Sequence, residues 1–283
     1  MSDRRATPAN DRVAHDSLRG LVRAPRYTSG AEASVIKDVA TIWRAPGEGR
    51  ERQLVFGEAF AVLDVDGYAF GYAKRDGYVG YVAVGSLALP AIKANARICV
   101  RMTHALGKPD IKTAAEQLLL SFGARVHVVD RSDGWARITT NHHGLYVPEG
   151  HLCTLDLLEN DPVAVAERFP GTPYVWGGNS AMGIDCSGLV QAACLACGIP
   201  CPGDSDQQEA RLGAALPDGT PPERGDLLFW KGHVAWVVDS DTILHANAHH
   251  MAVSNEPLRD AVARIAAQGG GPVTAHKRLE MPK

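Results

Sequence analysis

The chain has 283 residues, of which 45% are hydrophobic, and its formal net charge is −3 at pH 7. This length can enclose substantial apolar cores and is typical of about two domains. The near balance of charge leaves no basic footprint for nucleic acid and no basic patch for an anionic membrane, so we expect neither partner.

Residues 1–30 are polar and of mixed charge, and the sequence predicts an N-terminal arm or edge element there. The first twenty residues contain no apolar core segment of the kind that secretory signals have. No run in the chain approaches the roughly 18 to 20 apolar residues of a membrane span. These patterns predict a soluble protein in the cytoplasm.

The next 125 residues contain an internal repeat. Residues 54–57 recur 66 positions later as 120–123, with the pattern Leu-x-Phe-Gly in both, and 62–64 recur as 128–130. Two related units, 31–90 and 91–155, account for this spacing.

Within each repeat, short alternating stretches such as 59–63 and 125–129 are broken by Gly and Asp. This alternation predicts two small all-β antiparallel barrels. Residues 114–120 are the exception, since their pattern indicates a helical insertion.

From Asp161 the pattern changes to that of an α+β domain, predicted over 156–283. Asp161 is a candidate N-cap, and Pro162 suits the first helical position. Helical runs then precede three apolar strands, 225–230, 233–238 and 242–246, an order that indicates helices followed by an antiparallel sheet.

One cysteine of this domain has the setting of a nucleophile. Asp185 can cap a helix that runs to Gly198, which places Cys186 in the first helical turn. Unpaired N–H groups and the positive end of the helix dipole lie there, and both favour the thiolate. The alternative is a small buried cysteine with a packing role.

The other five cysteines are not predicted to form a metal site or disulfides, and Cys194 and Cys197 can serve as small core residues on the same helix. The spacing of Cys194, Cys197 and Cys201 resembles that of metal ligands, but no second Cys or His pair completes four ligands. We therefore expect core thiols, no metal and no organic cofactor. The predicted compartment also argues against disulfides, for these three and for Cys99 and Cys153.

Two histidines are predicted to face each other across a hairpin. Asp239-Ser240-Asp241 is turn chemistry between two β-rich runs. Pairing centred near Asp239 makes His233 and His245 direct cross-strand partners on one face, with Cβ atoms roughly 5 Å apart. One imidazole can then act on the thiol while the second fixes its tautomer, and Asn247 is the alternative for that third role.

These motifs together resemble the NlpC family of murein cysteine peptidases, which have a papain-like α+β fold. The resemblance covers about 170–250 and implies that Cys186 is the nucleophile, His233 the base and His245 the third polar residue. Family members cut the γ-D-glutamyl bond to the diamino acid of peptidoglycan stem peptides. The matching motifs are Tyr174-x-Trp176-Gly177-Gly178, Asp185-Cys186-Ser187-Gly188-Leu189-Val190, Gly225-Asp226-Leu227-x-Phe229, His233-Val234 and His245-Ala246.

The same resemblance implies a set of substrate-binding residues around the thiol. Tyr174 would line the site and contribute its hydroxyl to an oxyanion hole, with Trp176 beside it and Asp185 and Ser187 flanking Cys186. Tyr174 and Trp176 could instead be packing aromatics.

The repeats resemble bacterial SH3-like domains, through Leu/Val-x-Phe-Gly-Glu, Asp-Gly-aromatic and Gly-Tyr-Val patterns. Two such units before an NlpC domain resemble the enzymes that recycle murein peptides with a free N-terminal L-alanine. The resemblance implies that Asp204 and Ser205 in an acidic loop, and Tyr78 of the first barrel, close the cleft around that amine. Asp204 could instead be a helix cap and Tyr78 a core residue, and Glu58 is a further candidate for the amine.

Three other functions remain open at this point. A related CHAP-type amidase would use the same Cys and His on the muramoyl-alanine bond. An acyltransferase would share the thioester intermediate, and a wall-binding protein would carry an inactive peptidase-like domain. Diaminopimelate and lysine are both candidates for the diamino acid of the substrate.

Overall fold

The computed structural model describes residues 3–112, 116–140 and 144–280, without the side chains of residues 116 and 117. The chain divides into two compact units, Met1–Asp156 and Leu157–Lys283. Within the described ranges, no helix combines the length and the apolar character that crossing a membrane requires. The finer predicted boundaries, at residues 30, 90 and 155, stay predictions.

The N-terminal segment belongs to the fold of the first unit. Strands β1 (Ala14–His15) and β2 (Tyr27–Thr28) form a short parallel pair. Val13 is fully buried in a cluster with Leu63, Phe70 and Val79. The predicted arm is therefore anchored by apolar contact with residues of the first repeat.

The first repeat forms an antiparallel sheet, which among the described residues has seven strands in the order β5-β4-β8-β7-β6-β3-β9. Alternate side chains point inward, so that Ile42, Leu54 and Phe60 are fully buried. The strands are β3 (Ala31–Val35), β4 (Val39–Ala45), β5 (Glu48–Val55), β6 (Ala59–Asp66), β7 (Tyr68–Ala73), β8 (Val79–Ala83) and β9 (Leu87–Ala88).

The second repeat forms a sheet with the equivalent order, β12-β11-β15-β14-β13-β10-β16 over the residues that are described. The repeated sequence pattern thus corresponds to a repeated strand order. Its strands are β10 (Ala96–Ile98), β11 (Met102–Leu106), β12 (Glu116–Ser121), β13 (Arg125–Ser132), β14 (Trp135–Thr139), β15 (Gly144–Pro148) and β16 (Leu152–Thr154).

The helical insertion predicted at 114–120 is wrong where the structure describes it. Strand β12 begins at Glu116 and pairs antiparallel with β11, with Leu120 opposite Thr103. Leu120 is fully buried in the core of the second sheet. Tertiary pairing outweighs the local helical pattern here, and the first two residues of the predicted helix lie outside the described ranges.

The second unit contains an antiparallel sheet with helices, in which the described strands follow the order β19-β24-β20-β21-β22-β23. The helices are α1 (Pro162–Ala166), α2 (Cys186–Ala196), α3 (Ser205–Arg211) and α4 (Leu258–Ala267). The strands are β17 (Asn179–Ser180), β18 (Gly183–Ile184), β19 (Ala214–Ala215), β20 (Asp226–Trp230), β21 (His233–Asp239), β22 (Thr242–Asn247), β23 (Ala252–Pro257) and β24 (Ala275–Arg278).

Local chemistry explains the ends of the helices. Asp161 accepts hydrogen bonds from the backbone N–H groups of Val163 (2.8 Å) and Ala164 (3.1 Å), which confirms the predicted cap of α1. Helix α2 ends before Gly198, whose φ of +74° suits glycine. Helix α2 packs against α1, β21 and β22. Helix α4, which was not predicted from the sequence, buries Ala261 and Ile265 in the core beneath the sheet.

Candidate active site

Asp185 holds the turn that carries the cysteine. Its Oδ1 accepts hydrogen bonds from the Gly188 N–H (2.7 Å) and the Ser187 hydroxyl (3.0 Å), and its Oδ2 accepts one from the Gly177 N–H (2.8 Å). Asp185 therefore caps α2 and ties the preceding glycine loop to it. Cys186, 6% exposed, follows directly as the first residue of the helix.

A buried glutamine supports this helix start from a second side. The Gln208 side chain of α3 donates from Nε2 to the backbone carbonyl oxygens of Ser187 (2.9 Å) and Pro202 (2.9 Å). Gln208 is fully buried. This contact has no recognisable signal in the sequence, because Gln208 is a single glutamine in a polar helix.

The packing of α2 on β21 and β22 brings the thiol-bearing helix against the strands that carry both histidines. The predicted hairpin exists, but its predicted register is wrong. Trp236 pairs with Leu244, and a bulge between Val237 and Asp239 shifts the register by one residue near the turn. If the Trp236–Leu244 pairing is continued along the strands, His245 lies opposite residue 235, which is two residues from His233.

A shift of two residues keeps both side chains on the same face, because the side-chain period of a strand is two. The two histidines are diagonal neighbours, which long and aromatic side chains can bridge. His233 Nε2 lies 2.8 Å from His245 Nδ1, so the predicted contact between the two rings is confirmed.

A carboxylate that the sequence reasoning missed completes this group. His245 Nε2 lies 3.0 Å from Glu256 Oε2 on β23. Glu256 in turn accepts hydrogen bonds from Arg264 of α4, from Nε to Oε1 (2.8 Å) and from Nη2 to Oε2 (2.6 Å). The second unit thus holds a continuous line of side chains, His233–His245–Glu256–Arg264, which we call the histidine–glutamate line.

Burial and charge set the protonation of this line. Burial lowers the pKa of His233 to about 3, with the neighbouring His245 and Arg264 adding to the effect. Burial also lowers the pKa of His245 to about 4, although the Glu256 carboxylate opposes the change. Hydrogen bonding to Arg264 is the main cause that lowers the pKa of Glu256 to about 2. Both imidazoles are therefore neutral, and Glu256 is ionised, at neutral pH.

Asn247, the alternative for the third role, makes different contacts. Its Nδ2 donates to the Ser254 hydroxyl (3.1 Å), and its Oδ1 accepts from the His250 N–H (2.8 Å). The contact with His233 is made by His245.

The two aromatics of the glycine loop have different surroundings. Tyr174 donates its backbone N–H to the Met251 carbonyl (2.9 Å) and bridges to Ile184, which places it beside the start of α2. Trp176 is 67% exposed, so it does not serve as a core residue. Both stay predicted as substrate-binding residues.

Asp204 and Ser205 stand at the start of α3. Asp204 occupies the N-cap position, but its side chain makes no capping hydrogen bond. The capping explanation for Asp204 therefore loses its support. The contribution of these two residues to substrate binding stays a prediction.

Tyr78 and Glu58 belong to the first unit. Tyr78 is 4% exposed and lies in the core cluster of the first sheet, as expected for a packing residue. Glu58 binds Arg75 Nη1 through both oxygens (2.9 and 2.7 Å) and accepts from the Val55 N–H (2.8 Å). These contacts give both residues a structural role, and a role for either in substrate binding stays a prediction.

The remaining cysteines of this unit are buried thiols. Hydrogen bonding with Cys201 and burial raise the pKa of Cys194, and Cys197 is 2% exposed. In the part of the chain that the structure describes, no group of three or more His, Cys, Asp or Glu side chains could hold a metal ion.

Two segments of the chain match known families. Residues 171–264 match the NlpC/P60 family, and residues 42–87 match the family described as bacterial dipeptidyl-peptidase Sh3 domain. The first match contains Cys186, both histidines and Glu256, and the second covers most of the first sheet.

Two curated relatives share the name gamma-D-glutamyl-L-lysine dipeptidyl-peptidase. The protein from Bacillus cereus is 34% identical over 107 residues, which cover 35% of this chain and 32% of that protein. The protein from Bacillus subtilis is 29% identical over 143 residues, which cover 46% of this chain and 47% of that protein. The matches thus span about a third to a half of these relatives.

The fold also resembles a solved structure over most of its length. The crystal structure of an NlpC/P60 family protein from Bacillus cereus superimposes with a TM-score of 0.71 and covers 89% of this chain and 100% of the other. The sequence identity is 18%, so this likeness establishes the fold.

Proposed function

We propose that this chain, which carries an NlpC/P60 domain of papain-like fold behind a bacterial dipeptidyl-peptidase SH3 domain, is a cysteine endopeptidase of peptidoglycan stem peptides. The bond cleaved joins the γ-carboxyl group of D-glutamate to the diamino acid. The observation that carries the proposal is a cysteine at the start of α2, a helix that packs against the two strands carrying the histidine pair.

In the proposed reaction, Cys186 is the nucleophile and His233 is its base. His233 is neutral at neutral pH because burial lowers its pKa, so it can accept the thiol proton. The thiolate attacks the γ-glutamyl carbonyl carbon, and the imidazolium of His233 gives its proton to the departing amine. Water, activated by His233, then hydrolyses the thioester and restores the thiol.

The oxyanion formed during attack needs hydrogen-bond donors. The backbone N–H of Cys186 lies at the positive end of α2, where the helix dipole favours negative charge. The Tyr174 hydroxyl is the side-chain candidate. Together these groups would stabilise the tetrahedral intermediate.

We also propose that the substrate carries a free N-terminal L-alanine. A dipeptidyl-peptidase, the activity in the names of the two Bacillus relatives, releases two residues from a free amino end. Asp204, at the start of α3, is the candidate carboxylate that would pair with that ammonium group. Small peptides of this kind fit a role in murein recycling in the cytoplasm, without nucleic acid, membrane or cofactor.

The test is incubation with L-alanyl-γ-D-glutamyl-diaminopimelate and with its lysine analogue, followed by mass spectrometry of the products. We expect the dipeptide and the free diamino acid from the wild-type protein, and no hydrolysis by Cys186→Ala. Release of the stem peptide, with L-alanine at its new amino end, from a muramoyl peptide would instead indicate an amidase, and transfer to an added amine would indicate an acyltransferase.

The preference for a free amine has its own control. The N-acetylated tripeptide keeps the scissile bond but lacks the ammonium charge, and its turnover should fall sharply. Asp204→Asn should lower turnover of the free peptide while leaving the slow turnover of the acetylated peptide unchanged. Equal rates on both peptides would contradict amine recognition while leaving the bond assignment intact.

A further inference from the structure

The histidine–glutamate line extends beyond the three residues that the proposed mechanism uses. Glu256 is 7% exposed and His245 1% exposed, so the carboxylate meets the imidazole away from bulk water. The β22–β23 register pairs His245 with Ser254, which puts Glu256 two residues further along the same face. Glu256 is thus a diagonal partner of His245, as His233 is on the other side.

The hydrogen bonds along the line have a defined direction. An ionised carboxylate only accepts hydrogen bonds, so His245 must donate its Nε2–H to Glu256. A neutral His245 then has a lone pair on Nδ1, and this nitrogen accepts from the Nε2–H of His233. His233 is left with its lone pair on Nδ1, the one ring nitrogen available to take a proton from a thiol.

We propose that Glu256 is a positioning residue for catalysis: through His245 it selects the tautomer of His233 in which Nδ1 is the base. The proposal rests on the proposed function, in which His233 accepts the proton of Cys186. Its basis is the unbroken series of contacts of 2.8 and 3.0 Å from His233 to Glu256.

Arg264 has a second, opposing role in this arrangement. Its two hydrogen bonds hold the carboxylate ionised and oriented. Its positive charge also disfavours protonation of both histidines, whereas the charge of Glu256 favours it. The charged and titratable groups around His245 include His233, Glu256, Arg264 and, more weakly, His250.

Because Glu256 and Arg264 have opposite effects on protonation of the histidines, their substitution distinguishes the positioning role from a merely structural one. Protonated His233 stabilises the thiolate, so the rate of Cys186 alkylation by iodoacetamide reports how easily His233 is protonated. Glu256→Gln should shift the alkylation profile to higher pH, and Arg264→Gln should shift it to lower pH. A packing role for the Glu256–Arg264 pair would move both variants in the same direction or leave the profile unchanged.

Kinetics and tautomers provide the second readout. A carboxylate behind a metal-bound histidine typically contributes roughly 10–100-fold, and we expect a loss of that order in kcat for Glu256→Gln, with little change in KM. Glu256→Asp, which keeps the charge, should recover part of it. Nitrogen-15 NMR should show the Nε2–H form of both histidines in the wild-type protein and a mixture in Glu256→Gln.

A matched control is available in the same unit. Glu159 also forms a two-pronged pair with an arginine, Arg168 (2.8 and 2.7 Å). Glu159→Gln should leave the alkylation profile and kcat unchanged. Unaltered tautomers and an unaltered alkylation profile in Glu256→Gln would overturn the proposal.

Failure of the proposed function would be visible separately. If no variant and no wild-type protein cleaves the tripeptide, while the opposite alkylation shifts are present, then the substrate assignment is wrong and the positioning role stands.

Discussion

Substitution of Asp185 is expected to loosen the helix start that carries the nucleophile. The carboxylate has two distinct tasks, since Oδ1 caps α2 at Gly188 and Oδ2 binds the Gly177 N–H of the preceding loop. Loss of an N-cap costs about 1 kcal/mol. Loss of a hydrogen bond from a buried N–H to a charged group costs about 1.5–3 kcal/mol.

Asp185→Ala removes both tasks and should destabilise the second unit by about 3 kcal/mol. Asp185→Asn retains one oxygen for the cap but turns an NH₂ group toward Gly177, so about 2 kcal/mol should be lost. The measurement is the urea dependence of thiol labelling at Cys194, which is fully buried in α2 and reports unfolding of this unit alone.

Activity separates the two variants further. Because Asp185→Asn preserves the cap, its KM should stay near the wild-type value. Asp185→Ala displaces the Cys186 turn, so its kcat should fall. Labelling midpoints of Asp185→Asn equal to those of the wild-type protein would refute the role given to the Gly177 hydrogen bond. Equal loss in both variants would refute the separation of the two tasks.

Two further predictions concern pH and backbone conformation. The folded pKa of His245, about 4, lies below the usual 6.5, so the unfolded chain binds more protons and stability falls as pH drops below 6.5. Between pH 8 and pH 5, His245 should contribute about 2 kcal/mol of this loss of stability. Urea titrations of the wild-type protein and of His245→Gln at both pH values would measure this contribution. A pH dependence of stability that is the same in both proteins would contradict the prediction. Gly57→Ala should destabilise the first unit by several times the roughly 1 kcal/mol of Gly123→Ala, because a Cβ at Gly57 would meet the Arg125 carbonyl oxygen at 1.8 Å, whereas one at Gly123 meets nothing within 4 Å. Both glycines have positive φ, +75° and +79°, so equal losses would contradict the steric argument.

The sequence predicts the parts of the site that depend on local chemistry. A capping aspartate before Cys186 and a proline after Asp161 define helix starts through contacts within a few residues, and both are present. The face shared by His233 and His245 follows from the period of a strand. That inference survived a two-residue error in register because the error was even.

The features that were not predicted correctly depend on contacts between residues that are far apart in the sequence. The bulge after Val237 has no signal in the sequence. Glu256 lies in a polar strand, β23, and its position beside His245 depends on the pairing of β23 with β22. Likewise β12 is a strand because β11 lies beside it. The burial of Tyr78 likewise depends on the whole first sheet, and its role in substrate binding stays a prediction.

In the proposed mechanism, Cys186 forms a thioester with the γ-glutamyl group. Mass spectrometry of samples quenched during turnover of the free tripeptide, first on the intact protein and then on its proteolytic peptides, tests this step. We predict an adduct of the L-alanyl-γ-D-glutamyl group on the Cys186 peptide, and none in Cys186→Ala. An adduct on a different cysteine, or continued hydrolysis by Cys186→Ala, would contradict the account.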